Sequence, residues 1–270
     1  MAKAKNQVAT IPSTKVDDEL LDEILEHDAG DGVDDMSQDD MAIPRITILQ
    51  ALSPQCNKRD DDYVDGAEPG MFMETVAHKL WNGEDGLTLI PVAYRKTHIE
   101  WRPRADGGGF VADLGLDYDM KQCTRDDKGN YVNEAGMHVV LTYEYLVLLV
   151  EDDGAVTSVL ISLVKTQLRK AKQLNTMLKT AQPIVNGQRR TNMPIYFHQV
   201  KAVTVPESND QGNWFGWKFA LDGSVFDLPG GKEIYMGARD LREAWNAGAV
   251  RTAPPADEVP ADTDDDAAPM

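Results

Sequence analysis

Cysteine is scarce in this sequence. Cys56 and Cys123 are the whole complement and lack C-x-x-C spacing, so two free thiols in a reducing cytoplasm are expected and a cysteine-based zinc site is excluded. The five histidines (His27, His78, His98, His138, His198) stand singly, with no H-x-x-x-H or H-E-x-x-H pair that would put two ligands on one helical face. Phosphate-loop and nucleophile-elbow motifs are missing too: Gly107-Gly108-Gly109 is not followed by the required Lys, and no G-x-S-x-G occurs. Asp60-Asp61-Asp62 and Asp152-Asp153 read as solvated turn acids rather than Mg²⁺ ligands. These absences leave no enzyme, no metal and no cofactor as the expectation. No stretch approaches the roughly 18 consecutive apolar residues of a membrane helix, and nothing apolar follows Met1-Ala2-Lys3-Ala4-Lys5 as in a signal peptide.

The most informative absence is of acid. The chain carries a net charge of -18, which argues against a polyanionic ligand until its distribution is considered. Residues 1–40 hold twelve acids and three lysines, residues 252–270 hold six acids and no base, and 41–251 is left with a balance of only -3. From Gly154 to Pro206 there is no Asp or Glu at all, where the chain average predicts about nine. The same segment carries Lys165, Arg169, Lys170, Lys172, Lys179, Arg189, Arg190 and Lys201. An otherwise acidic protein keeps one region positive.

At 270 residues and 42% hydrophobic content the chain can bury a substantial core. Residues 1–40 are polar apart from Leu20, Leu21, Ile24 and Leu25, which allow one short amphipathic helix within Asp17–Glu26. That segment and the Ala/Pro/Asp-rich tail 252–270 are expected to be disordered, because neither buries enough apolar surface to offset ordering entropy. Between them, 41–251 is read as one domain. Leu87–Trp101, Phe110–Ala112, His138–Val150, Ala155–Leu163, Tyr196–Val205 and Asn213–Leu221 are rich in β-branched and aromatic residues and read as strands, with Pro91 marking an edge or a bulge. The last four pair into two hairpins, around 151–154 and 207–212.

One long helix is predicted over Val164–Ala181. Val164, Leu168, Ala171, Leu174, Leu178 and Ala181 form its apolar stripe, and Lys165, Arg169, Lys172, Thr176 and Lys179 a basic face beside it. A shorter helix is expected at Ala238–Ala247. The fold class is therefore mainly β with few helices (α+β): an OB-like five-stranded barrel, one long basic amphipathic helix and disordered acidic termini.

Spaced cations bind a phosphate backbone and aromatic rings stack on unpaired bases. Residues 94–104 interleave Tyr94, Arg95, Lys96, Trp101, Arg102 and Arg104 on one strand and the turn after it; alternation puts Arg95, Ile99 and Trp101 on one face and Tyr94, Lys96, His98 and Arg102 on the other. In Asn213–Phe219, Phe215, Trp217 and Phe219 share a core-like face, while Trp214 shares the other with Lys218. Trp101 and Trp214 are the expected stacking rings. Backbone contacts are assigned to Arg95, Lys96, Arg102, Arg104, Lys165, Arg169, Lys172, Lys179, Arg189 and Arg190, the last two in a loop at 188–192.

The end of the chain, Asp264-Asp265-Asp266-Ala267-Ala268-Pro269-Met270, resembles the tail of bacterial single-stranded-DNA-binding proteins, and the layout as a whole is similar to the single-stranded-DNA-binding proteins of T7-like phages. Ile43-Pro44-Arg45, Trp101-Arg102-Pro103-Arg104 with its glycine triplet, and Ser162-Leu163 look like a family of phage early proteins over about 43–235, whose motifs carry no established chemistry. The resemblance implies an OB fold, a tail that competes with DNA for the basic groove and recruits replication or recombination proteins, and a place in the host-cell cytoplasm. Met270 stands where that family ends in an aromatic anchor; Met is flexible and apolar.

The expected function is sequence-tolerant single-stranded DNA binding and protection during phage replication or recombination. The partners are single-stranded DNA and tail-recruited proteins, with no membrane and a homodimer left open. The rivals are a virion or assembly protein and a Mg²⁺-dependent nuclease.

Overall fold

The computed structural model describes residue 27, residues 43–209 and residues 212–248. All but the first belong to the unit Ile43–Met270. In chain order its strands and helices are β1 (Ile46–Ile48), β2 (Phe72–Glu74), β3 (Leu80–Trp81), β4 (Leu87–Trp101), β5 (Phe110–Gly115), β6 (Thr124–Arg125), β7 (Tyr131–Val132), β8 (His138–Val150), β9 (Val156–Val164), α1 (Leu168–Thr180), β10 (Ile184–Val185), β11 (Gln188–Arg189), β12 (His198–Asn209), β13 (Gly212–Ser224) and α2 (Gly231–Asn246).

The main sheet is antiparallel and built on β4 and β8, which pair from Thr88↔Val150 to Trp101↔His138. Along one half it runs β13-β12-β4-β8-β9; along the other, β5 joins β4, and β7 and β6 continue from β8. Residues Thr142–Leu149 are buried without interruption, and the reason is that both faces of the sheet are covered. Tyr143, Tyr145, Val147 and Leu149 point into a core closed by Ala171, Leu174 and Leu178 of α1 and by Ile46, Ile48 and Phe72 of the small β1–β3 sheet. Leu146 and Leu148 point the other way, into a core closed by Ile234 and Ala238 of α2. Trp217 and Phe219, two residues apart on β13, share the α1 side with their rings stacked at 5.4 Å.

Among the described residues β9 and β13 do not pair with each other, so the OB-like five-stranded barrel expected is seen only as far as a curled half-barrel sheet. The segment before and after β1 spans the gap instead. At one end Leu160 N–H donates to the Pro44 carbonyl at 2.8 Å; at the other, the Gln50 side-chain amide both accepts from the Phe215 N–H and donates to its carbonyl, each at 2.9 Å. Gln167 accepts from Trp217 N–H at 3.0 Å. Two glutamines thereby satisfy the outward backbone groups of an edge strand, groups that would otherwise invite pairing with another chain.

Proline and glycine mark the special positions. Pro91 sits at a register shift in the central strand β4, where a residue without an N–H costs no ladder bond. Gly83 lies so close to the Gly70 carbonyl and the Thr204 hydroxyl that a Cβ would meet them at 1.9 and 2.0 Å. It lets the β3–β4 connection lie against β12, where Thr204 N–H donates to its carbonyl at 2.9 Å.

The long strands, the Ala171, Leu174 and Leu178 part of the apolar stripe and the mainly β class appear as expected; Val164 and Ala181 lie outside the helix. The long helix itself starts later, at Leu168, because Val164 still pairs with Thr142 and a 3₁₀ turn, Lys165–Gln167, intervenes. The second helix starts seven residues earlier than expected, directly after Gly230. Residues 207–209 and 212, expected in a loop, are strand: β12 and β13 pair down to Asn209↔Gly212. The acidic ends fall outside the described residues.

Candidate nucleic-acid interface

Helix α1 is made of strong helix formers, with Leu, Lys, Arg, Gln, Met or Ala everywhere but at Asn175, Thr176 and Thr180. Its buried face, Ala171, Leu174 and Leu178, fixes what the opposite face presents: Arg169, Lys172, Thr176 and Lys179 are exposed, at spacings of three and four that keep them on one side. The helix contains no acid, so no i,i+4 carboxylate neutralises them. Among the described residues no ion pair involves Arg169, Lys172 or Lys179. From Arg169 to Lys179 this row extends about 15 Å along the axis.

The row continues past the helix. Residues 188–192 were expected as a loop, but Gln188 and Arg189 form β11, which pairs with β10 as Ile184↔Arg189 and Val185↔Gln188. Asn186 and Gly187, with φ of 51° and 73°, make the turn with two left-handed residues that matches the twist of a tight hairpin. Arg189 and Arg190 are exposed. The Arg189 guanidinium reaches Gln182 at 3.2 Å, three residues beyond Lys179. Arg169, Lys172, Lys179, Arg189 and Arg190 thus lie on one continuous stretch of helix and hairpin.

The remaining cations of the acid-free segment are engaged. Lys170 pairs with Glu207 at 2.6 Å, Lys165 Nζ donates to Asn130 at 3.1 Å and Lys201 Nζ to the Gly86 carbonyl at 3.4 Å. Lys165 has left-handed backbone, φ 48°, at the corner where β9 turns into the helix. It therefore stands apart from the row in which it was expected.

On β4 the cations split between the two faces of the sheet. Arg95 belongs to an ionic network on the α2 side: it meets Glu144 at 2.5 Å and Asp113 at 3.0 Å, while Arg45 meets the same Glu144 at 2.8 Å and Ser162 at 2.5 Å. Glu144 has no exposed side-chain surface, and two guanidinium groups are what make a buried carboxylate tolerable. The Trp245 ring of α2 lies 5.6 Å from the Arg95 guanidinium. Arg95, expected as a phosphate contact, is placed in this ionic network with its side chain 34% exposed. The Arg45–Glu144 pair escaped sequence reasoning because the partners are 99 positions apart and neither sits in a motif.

Lys96, on the α1 side, is exposed with its ammonium 5.2 Å from the Tyr143 ring. Tyr94 is packed between Tyr143 and Tyr145, with ring centroids at 5.7 and 5.0 Å. Burial raises the pKa of its hydroxyl. Trp101 is 4% exposed, edge-on to Phe110 at 6.2 Å. A correction concerns this ring: it packs in the interior and is not presented to a ligand, and its indole nitrogen has no hydrogen-bond partner among the described residues. Arg102 is exposed; the Arg104 side chain lies outside the described residues, as do Asp264, Asp265, Asp266, Pro269 and Met270.

Trp214 is partly exposed and faces Glu207 across the β12–β13 pair. Its indole N–H donates to that carboxylate at 3.0 Å, which also accepts from Gln167 at 3.2 Å. Burial pushes the Glu207 pKa up, but the bonds from Lys170, Gln167 and Trp214 outweigh it and hold the group below its ordinary value. Trp214 is thereby placed beside the start of α1, and Lys218 is exposed four residues on along the same strand. The role of Glu207 was missed because it was read into a loop, whereas it lies on β12 opposite Trp214.

Among the described residues no group of three or more His, Cys, Asp or Glu side chains is placed to hold a metal ion, both cysteines are free, and no helix is long and apolar enough to cross a membrane.

Residues 16–251 match the family described as Pam3 phage gp34-like protein. The chain belongs to that family. The Pam3 phage gp34-like match covers the whole β-rich unit together with part of the acidic N-terminal segment, and its description is that of a phage protein. No curated protein and no solved structure matches the chain.

Proposed function

We propose that the chain is a sequence-tolerant single-stranded-DNA-binding protein that protects strands during phage DNA replication or recombination. One observation carries the reading: Arg169, Lys172, Lys179, Arg189 and Arg190 form an exposed basic row along α1 and its hairpin, with no acid on the helix and no ion pair among the described residues. A surface that serves only solubility mixes both signs; here Glu207, which meets α1 at Lys170, leaves Arg169, Lys172 and Lys179 outside its ion pair. A row of cations about 15 Å long on the helix alone matches several successive phosphates of an extended strand and carries no element that would read base sequence.

In this reading the curled sheet is the rigid base, Lys96 and Lys218 are outlying phosphate contacts, and Trp214 is the aromatic available for stacking. The tail 252–270, with six acids and no base, competes for the row as a tethered polyanion; its local concentration keeps weak ligands off and yields to a long strand. Once displaced, Pro269 and Met270 are free to anchor a replication or recombination partner.

The test is a titration of the full chain with dT oligomers at increasing salt, repeated after deletion of 252–270. Binding that weakens steeply with salt and tightens on deletion is expected. Absence of binding, or affinity indifferent to salt, overturns the reading.

A further inference from the structure

The basic row ends in a feature that charge alone does not explain. Ile184 is 70% exposed, on a two-residue strand in the middle of the acid-free segment. Within that segment Val156, at 40%, is the other exposed large apolar side chain. Ile184 pairs directly with Arg189, so the two side chains rise from the same face of the ribbon with Cβ atoms roughly 4.5–5.5 Å apart. The Arg189 guanidinium is bonded to Gln182, and Arg190 N–H extends the ladder by donating to the Pro183 carbonyl at 2.9 Å. The left-handed Asn186-Gly187 turn closes the ribbon tightly. The result is a short, pre-shaped ribbon whose base carries an uncovered apolar side chain beside a cation.

The aromatic rings available to a base are few. Trp101 is interior, and Trp214, the stacking ring of the proposed function, is held beside the start of α1 by its bond to Glu207. A nucleotide strand whose phosphates follow Arg169, Lys172 and Lys179 is delivered to the hairpin, where apolar contact is offered by Ile184.

We propose that the β10–β11 hairpin is the base-contacting element of the interface, with Ile184 inserting as an apolar wedge beside an unstacked base and Arg189 holding the adjoining phosphate. The occupant is single-stranded DNA. The charge complementarity of Lys179, Arg189 and Arg190 to phosphate argues for it, and apolar side chains of this kind are inserted between base steps elsewhere in nucleic-acid recognition. The inference rests on the function proposed above and adds a site to it.

The experiment compares the full-length protein with Ile184→Ser, Arg189→Gln, Lys172→Gln and Leu52→Ser, the last at a residue 95% exposed and outside the acid-free segment. Binding is read by anisotropy with a dT oligomer carrying one 2-aminopurine, whose fluorescence reports unstacking. Ile184→Ser is expected to weaken binding about five- to tenfold at every salt concentration, with the salt slope unchanged and the unstacking signal abolished. Arg189→Gln lowers the slope by about 0.7. Leu52→Ser binds as the parent does. If Ile184→Ser binds and unstacks like the parent while Lys172→Gln weakens binding, the wedge is wrong and the DNA-binding reading stands. If the parent protein does not bind the oligomer, both are wrong.

Discussion

Glu207 and Trp214 face one another across the β12–β13 hairpin, indole N–H to carboxylate at 3.0 Å, and the ammonium of Lys170 meets the same carboxylate at 2.6 Å. One acid thus neutralises a lysine beside the basic row and fixes an aromatic ring at the start of α1. Because the folded-state pKa of Glu207 is depressed, the stabilisation is present above the ordinary value of 4.5 and is lost as pH falls through the lower folded value. Glu207→Gln should lower stability by about 1 kcal/mol at neutral pH and remove this acid-dependent component from a plot of Tm against pH. The same variant frees Lys170, so it should bind single strands more tightly; weaker binding would show that the carboxylate is needed for the interface.

At the centre of the Arg45–Glu144–Arg95 network the Glu144 side chain has no exposed surface. Glu144→Gln leaves two guanidinium groups without their shared counter-charge, and a destabilisation of about 3–5 kcal/mol is expected in denaturant unfolding. Arg95→Gln should likewise destabilise the fold and leave the salt slope of DNA binding unchanged. A slope reduced by that variant would return Arg95 to the interface.

His198 is buried with its Nε2 unpaired among the described residues. Burial lowers its pKa from the ordinary 6.5, so below pH 6.5 the unfolded chain takes up a proton that the folded one resists. Stability should therefore decline from pH 6.5 downward. In His198→Gln, scanning calorimetry between pH 5 and 7 should show that component gone.

The strands β4 and β8 could be bounded from sequence because fifteen and thirteen consecutive residues of strand type leave little room for another period. The stripe Ala171, Leu174, Leu178 made α1 legible for the same reason. Alternation also put Arg95 on one side of β4 and Tyr94 and Lys96 on the other, as the structure does. It did not reveal which side is wet, since α1 covers one face of this sheet and α2 the other, and Trp101 was accordingly assigned to a surface it does not occupy. The start of α2 was hidden by Gly231 and Gly237, which lower helix propensity, while Gly231 fits where a Cβ would strike the Val225 carbonyl at 2.1 Å. Strands of two and three residues such as β1–β3 are too short to show a period, and the closure they provide depends on side chains such as Gln50 that meet partners 165 positions away.

Trp101→Ala opens a cavity against Phe110, and a destabilisation of about 3–5 kcal/mol is expected. Trp101→Phe should retain most of the stability and all of the DNA affinity, measured under conditions where both proteins are folded. A large drop in affinity in Trp101→Phe would mean the ring reaches the ligand after rearrangement.

The cations of α1 carry the proposed function, and they can be removed together. The direct measurement is the salt dependence of dT-oligomer binding for the parent protein and for the triple variant Arg169→Gln, Lys172→Gln, Lys179→Gln, whose residues are all exposed and replaceable without cost to the core. A plot of log K against log salt should become shallower by about 2, because each single-strand phosphate that a cation neutralises contributes roughly 0.7 to the slope. An identical slope in the two proteins would contradict a role for α1 in binding DNA.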